Sequence, residues 1–378
     1  KLNDISTNGG NIALLSSTII SPTTEKLISE FSEKYGNVKH IQMDAVSSHG
    51  ILEANLVSFG VRSLPTYHFD KADVIVSFGA DFIGNWGDPN NEADYSKGRN
   101  PKSGKMSKHY QVESTLTLTG SNADERIQIK PSEQAGLLSN LYNALNGGIA
   151  DSRITKIVSS LKSAKSSIVV CNSNNIEVQL LVNTINNTLG NYENTLTLSS
   201  PSYLKKGNDS DVATLVSEMN AGNIDALITY NVNPSYNLVN ADEFNIGLQR
   251  VGLKVSTSLY MDETAKNMDY ICPDNHNLES WGDANPSHGE FTLMQPTINP
   301  LFNGRQFQDS LLSWSGSSEK YYDILKGSYS DWNTKLHNGY FSGENQDYTL
   351  ISNLSSPSFS LSNSEGIEFE VSEKISMG

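Results

Sequence analysis

The chain has 378 residues, and 27 Lys+Arg against 42 Asp+Glu give a net charge of −15. Acidity on this scale makes a poor ligand for nucleic acid or for an anionic membrane face. No apolar run approaches the about 18 residues of a membrane-spanning helix, so a soluble segment of two or three domains is expected.

Two cysteines, Cys171 and Cys272, cannot alone supply the four thiolates of a cubane iron–sulfur cluster or of a four-thiolate zinc site. Both lie in apolar, strand-like runs, so buried free thiols are expected, with a disulfide as the alternative. The chain opens at Lys1 without an initiator Met or a signal-type segment. It closes near the alternating run Ile367-Glu368-Phe369-Glu370-Val371, which predicts a strand. Both ends read as cuts through a longer polypeptide.

In chain order, residues 11–16 form a short apolar strand. Residues 22–35 form a helix with Pro22 in its first turn, Leu27, Ile28 and Phe31 on one face, and Gly36 as its stop. Residues 38–43 read as a strand. Residues 73–78 are a continuous apolar run of the kind buried in parallel sheets. Residues 84–108, rich in Gly, Asn, Asp, Lys and Ser around Trp86, read as a long loop. A strand at 126–130 precedes a helix at 134–145, and Gly147-Gly148 ends that helix. The polar stretch 147–151 is the expected domain boundary.

The alternation resumes with helices at 154–161, 176–189 and 211–220 and strands at 167–171, 195–198, 226–230 and 252–256. Strands alternating with helices of this length argue for βαβ units and parallel sheets. Residues 275–303, rich in Pro, Asn, Asp and Gly, read as ordered coil. Helices follow at 305–314 and 319–336, and the chain beyond Asn338 is polar with short strands. The predicted division is 1–148, a first Rossmann-like domain; 149–315, a second; and 316–378, an irregular helical and short-strand extension.

The sequence carries no Gly-x-Gly-x-x-Gly after a strand, no phosphate-loop motif, no Gly-x-Ser-x-Gly elbow and no His-x-x-x-His pair. What remains are loops at strand ends, where parallel sheets hold ligands. These are Gly79-Ala80-Asp81, Asn231-Val232-Asn233-Pro234 and Asp262-Glu263-Thr264. The bland reading is that Gly, Asn and Pro simply turn the chain there.

Four blocks, in order, resemble the molybdopterin oxidoreductases. Ala72-Asp73-Val74-Ile75-Val76-Ser77-Phe78-Gly79-Ala80 resembles a dinucleotide-contacting strand of that family. Ala123-Asp124-Glu125-Arg126-Ile127-Gln128-Ile129-Lys130-Pro131 resembles the run into its Pro-Gly-Thr-Asp helix, and the 231–234 loop its Gly-x-Asn-Pro loop. Met261-Asp262-Glu263-Thr264-Ala265, continuing to Asp269-Tyr270-Ile271-Cys272-Pro273 and Leu278-Glu279, resembles its Thr-Glu-Thr-Ala signature. A closer resemblance is to the molybdopterin-like part of the large iron–sulfur subunit of alternative complex III. It is carried by Phe78-Gly79-Ala80-Asp81-Phe82-Ile83-Gly84-Asn85-Trp86, Met106-Ser107-Lys108-His109-Tyr110, Tyr230-Asn231-Val232-Asn233-Pro234-Ser235 and Leu278-Glu279-Ser280-Trp281-Gly282-Asp283.

That resemblance implies an α/β fold of two Rossmann-like parallel-sheet halves, of the type of the family's second and third domains. It implies a periplasmic subunit, peripheral to the inner membrane, in a respiratory quinol:electron-acceptor oxidoreductase. Its partners would be cytochrome c and membrane quinol-binding subunits, with [4Fe-4S] and [3Fe-4S] clusters in a domain downstream. This segment itself would hold no cofactor or metal and would lack a catalytic residue. Gly79, Ala80, Asp81, Asn231, Asn233, Pro234, Asp262, Glu263 and Thr264 would then line a vestigial crevice.

The departures point the same way. Ser114 and Thr115 stand where the family has Pro and Arg, Pro131-Ser132-Glu133-Gln134 replaces the Pro-Gly-Thr-Asp corner, and Asp81 replaces a neutral Asn. A carboxylate facing a diphosphate is repulsive unless a cation or dipole offsets it. The competing expectation is a catalytic fragment that binds molybdenum through two pterin guanine dinucleotides. A further expectation is that the 84–108 and 275–303 segments form interfaces through Trp86, Trp281, Phe291 and Phe302.

Overall fold

The computed structural model describes residues 1–104, 106–343, 354 and 366–368. Its strands, in chain order, begin with β1 (Ile12–Ser16), β2 (Val38–Gln42), β3 (Leu64–Tyr67), β4 (Val74–Phe78), β5 (Lys108–Glu113), β6 (Glu125–Gln128) and β7 (Ser167–Cys171). They continue with β8 (Leu196–Ser202), β9 (Ala226–Tyr230), β10 (Leu253–Ser256), β11 (Tyr270–Ile271), β12 (Gly282–Ser287), β13 (Glu290–Met294) and β14 (Tyr340–Ser342).

Two compact units result, and each is discontinuous in sequence. One gathers Lys1–Ser47 and Tyr203–Asn345; the other gathers Ser48–Ser202 and Gln346–Gly378. The first unit holds a parallel sheet in the order β11-β10-β9-β1-β2. Successive residues of β1 serve opposite faces, as the pleat requires. Ile12 and Leu14 enter a core with Phe31 of the helix Pro22–Tyr35 and Phe307 of the helix Phe307–Trp314. Ala13 and Leu15 enter a second core with Val216 of Asp209–Ala221 and Phe244 of Ala241–Leu248. A sheet covered on both faces accounts for strands that read as unbroken apolar runs. In the same unit β12, β13 and β14 pair antiparallel.

The second unit holds a parallel sheet in the order β6-β5-β4-β7. Val76 and Phe78 pack with Leu138, Leu141 and Ile157 on one face, and Ile75 packs with Phe69, Phe82 and Ile168 on the other. In this unit β3 and β8 pair antiparallel.

The contiguous division at 148 and 315 is therefore not how the chain groups. The 147–151 stretch lies inside the second unit, between helices Gln134–Leu145 and Thr155–Ser163, which share one core. β1 finds β9, and β4 finds β7, across long separations, and pairing rather than proximity in sequence sets the units.

Three element readings also change. The 84–108 segment contains the helix Asn91–Gly98 and a 3₁₀ turn at Pro101–Ser103. The 275–303 segment contains the β12–β13 hairpin. The helix read at 319–336 is two, Tyr321–Gly327 and Trp332–Asn338, parted where Asp331 takes φ +52°. Of the terminal strand read at 367–371, only Ile367 and Glu368 fall within the described residues, and the remainder of the polar C-terminal stretch lies largely outside them.

Candidate functional sites at the strand ends

In a doubly wound sheet the crevice forms where strand order reverses. In the first unit that point lies between β1 and β9, and in the second between β4 and β7. Gly79-Ala80-Asp81 follow β4 and Asn231-Val232-Asn233-Pro234 follow β9 directly, whereas Asp262-Glu263-Thr264 lie further along the loop after β10.

In the second unit Gly79 ends β4 with φ +67°, a conformation that favours glycine, and an added Cβ would lie 2.6 Å from Asn172 Oδ1. Ala80 is buried, and its carbonyl accepts from Ser77 Oγ at 2.9 Å. Asp81 Oδ1 accepts from the Thr119 amide at 2.8 Å, and its other oxygen packs on the Cα of Gly84. Asp81 thus ties its loop to the short helix Leu118–Ser121. Across the switch point, Gln134 Nε2 donates to the Phe78 carbonyl at 2.9 Å and to Asn172 Oδ1 at 2.8 Å.

Gln134 opens a 12-residue helix, and such an N-terminus favours an anion. Just before it, Ser132 donates its amide (2.9 Å) and hydroxyl (2.7 Å) to the carboxylate of Glu368. At the end of β5, Arg126 Nε donates to the buried Glu113 at 2.6 Å. Thr117 Oγ1 and Gln111 Nε2 also donate to that carboxylate. The positive charge and the helix N-terminus at this edge are both engaged by the chain's own carboxylates. Sequence reading noted the Ser114-Thr115 replacement but missed Arg126 and Glu368, which reach the edge only through folding.

In the first unit the structure brings most of the remaining candidates together. Asn233 Nδ2 donates to Glu263 at 2.7 Å, while its Oδ1 accepts from Thr264 Oγ1 at 2.7 Å and from the Thr264 amide at 3.2 Å. The Asn233 bond holds Glu263 below the usual carboxylate pKa. Asp262 accepts from the amides of Thr264 and Ala265 and from Ser258 Oγ. Thr264 is buried and receives the Ser235 amide, and Pro234 starts the short helix Pro234–Asn237. Asn231, at φ +53°, donates to Ser17 Oγ at 3.0 Å. The 231–234 and 262–264 loops satisfy each other.

Beside them lies a cleft of about 170 Å³ at the ends of β1 and β9. Ser17, Tyr230, Asn231, Asp274, Trp281, Asp283, Gln308 and Tyr321 are among its lining, and no described lining residue is basic. Tyr230 stacks on Phe307, with centroids 3.8 Å apart. Asp274 Oδ1 accepts from the amides of Asn275 (2.7 Å) and Phe307 (2.8 Å), and burial pushes its pKa up to about 6. Asp283 accepts from Ser21, Thr23 and Tyr329. Of the sequence candidates, only Asn231 lines this cleft. Asp274 directly follows the run that ends at Pro273 but was not singled out, and Gln308 carries no sequence signal.

The thiols are free; Cys171 is buried, and Cys272 only partly so. Three of the four proposed interface aromatics pack within their own unit: Trp86 on Tyr67, Trp281 on Tyr322, and Phe291 on Phe341. Phe302 and its neighbour Leu301 are exposed. His68, Asp70 and Asp94 bring potential ligand atoms within 4.8 Å of one another, but Asp94 is ion-paired with Lys97 and His68 Nε2 is bonded to Thr197. Among the described residues, no helix is long and apolar enough to cross a membrane.

No family model matches the chain. Over 95 residues it is 30% identical to the "menaquinone reductase, molybdopterin-binding-like subunit" of Nitratidesulfovibrio vulgaris, a match spanning 24% of this chain and 14% of that protein. Its fold is similar to acetylene hydratase from Pelobacter acetylenicus, with TM-score 0.70 at 13% identity, covering 91% of this chain and 62% of that one. It is also similar to a chain of the formyltransferase/hydrolase complex of Methylorubrum extorquens, with TM-score 0.58 at 13% identity, covering 87% of this chain and 98% of that one. The α/β fold with two parallel sheets is thus that of a molybdopterin-oxidoreductase-like domain.

Proposed function

We propose that this domain is a cofactor-free scaffold within the iron–sulfur subunit of a quinol-oxidising respiratory complex of the alternative complex III type. One observation carries the reading. At the edge of the β4 sheet, Glu368 takes the Ser132 donors, and Glu113 takes Arg126. A dinucleotide diphosphate needs such groups free, and here it would meet carboxylates instead. The named similarity to a molybdopterin-binding-like subunit of a menaquinone reductase supports a place in a multi-subunit complex. The exposed Leu301 and Phe302 give a partner an apolar foothold.

In this reading the redox steps belong to neighbours: [4Fe-4S] and [3Fe-4S] clusters in an adjoining domain, haem in cytochrome c subunits, and quinol at membrane subunits. The assembly would lie on the periplasmic face. The competing reading, a molybdenum pterin catalytic fragment, shares the fold. Tagging the full-length protein in its native cells and purifying it under mild detergent tests the scaffold role. Co-purification with iron–sulfur and haem absorbance is expected; recovery as an isolated, colourless protein would contradict it.

A further inference from the structure

The cleft at the carboxyl ends of β1 and β9 has more hydrogen-bond acceptors than the chain fills. Gln308 is only 7% exposed. Its Nε2 donates to Thr24 Oγ1 at 2.9 Å, yet its Oε1 is buried without a hydrogen-bond partner. Leaving such an oxygen unmet is destabilising, because it has lost water without gaining a donor. Asp274 spends one carboxylate oxygen on two backbone amides, and no bond reaches its other oxygen among the described residues. Asp283, by contrast, accepts from three hydroxyls and from the Thr23 amide.

We propose that this cleft binds a compact organic cation of the ammonium or guanidinium class, donating to Asp274 Oδ2 and Gln308 Oε1 between the aromatic side chains of Tyr230, Trp281 and Tyr321. The sign of the charge follows from the lining, which offers two carboxylates and no basic group, in a chain of net charge −15. The aromatic walls favour a cation over a neutral donor. The volume, about 170 Å³, is below that of a pocket for drug-sized ligands and suits a molecule of few heavy atoms. A water molecule would satisfy Gln308 but would leave the carboxylate charge uncompensated. An acid with a pKa raised by burial, sitting in a cleft, is the kind of group that marks a binding site. The inference does not rest on the scaffold reading, because the cleft is formed entirely within the first unit.

The test is a titration of the purified chain at neutral pH and low salt with methylguanidinium and methylammonium. Calorimetry reports binding. N-methylurea, the neutral counterpart of methylguanidinium, is the comparison. Saturable binding of a cation, at least about tenfold tighter than of the urea, is expected, with loss of about tenfold or more in Asp274→Asn. That variant retains the oxygen that accepts the two backbone amides, so its fold should persist. Gln308→Met should weaken binding several-fold; if it does not fold, Asp274→Asn decides alone. Equal binding of cation and urea, no saturation by tens of millimolar, or undiminished binding in Asp274→Asn would overturn the proposal.

Discussion

Glu368 places its carboxylate on Ser132, accepting both the backbone amide and the hydroxyl, one turn from the start of a 12-residue helix. A residue from the far end of the chain thereby occupies a position suited to a ligand's anionic group. Replacing Glu368 with Ala should expose the Ser132 amide. Hydrogen exchange at that amide should accelerate by about tenfold, in keeping with loss of a charge-assisted bond. Unchanged exchange would mean that the contact does not persist in solution.

The buried Glu113 depends on Arg126. Removing one partner of a buried pair costs several kcal/mol, because the other charge is stranded. Arg126→Met should therefore destabilise the second unit by about 3 kcal/mol in urea unfolding. Adding Glu113→Gln should recover more than half of that loss. Additive losses in the double variant would show that the two residues act independently.

Asp274 gives a pH signature whose sign is opposite to that of a salt-bridged acid. Its folded pKa, about 6, lies above its ordinary value of 3.8, so the folded state binds the proton more tightly. Its contribution to stability is full below about pH 4 and is lost as pH rises to about 6. Asp274→Asn should flatten the melting-temperature profile between these limits. At pH 7 it should be more stable than the parent, by up to about 3 kcal/mol. A variant less stable than the parent at pH 7 would contradict this.

The two thiols should differ in reactivity. Burial raises the pKa of Cys171 to about 12, and its side chain is enclosed; Cys272 is partly exposed, and burial raises its pKa as well. A maleimide at neutral pH should modify one thiol slowly in the folded protein, and Cys272→Ser should abolish that labelling. Faster labelling of Cys171 would mean that the second unit opens locally.

The parallel sheets were legible because β1, β4 and β7 are apolar along their length, as burial on both faces demands. The helix His49–Phe59 was not read, because its inner face is partly polar. Asn55 and Ser58 there take hydrogen bonds from Asn183 of the neighbouring helix, which breaks the apolar period. The β12–β13 hairpin was masked by Asp283, Asn285 and Pro286, residues that ordinarily signal a loop. The strand-end loops lie after β4, β9 and β10, as expected from their position after apolar runs. Their mutual hydrogen bonds, and the pairing of Asp274 with Gln308 in one cleft, depend on tertiary contacts that local sequence does not encode.

The proposed scaffold role requires that the strand ends of this domain hold no dinucleotide cofactor. The most direct measurement is molybdenum, tungsten and pterin content of the full-length protein purified from its native cells. Metal and pterin far below one per chain, alongside iron from neighbouring clusters, is the predicted result. One or two pterin guanine dinucleotides per chain with stoichiometric molybdenum or tungsten would contradict the account.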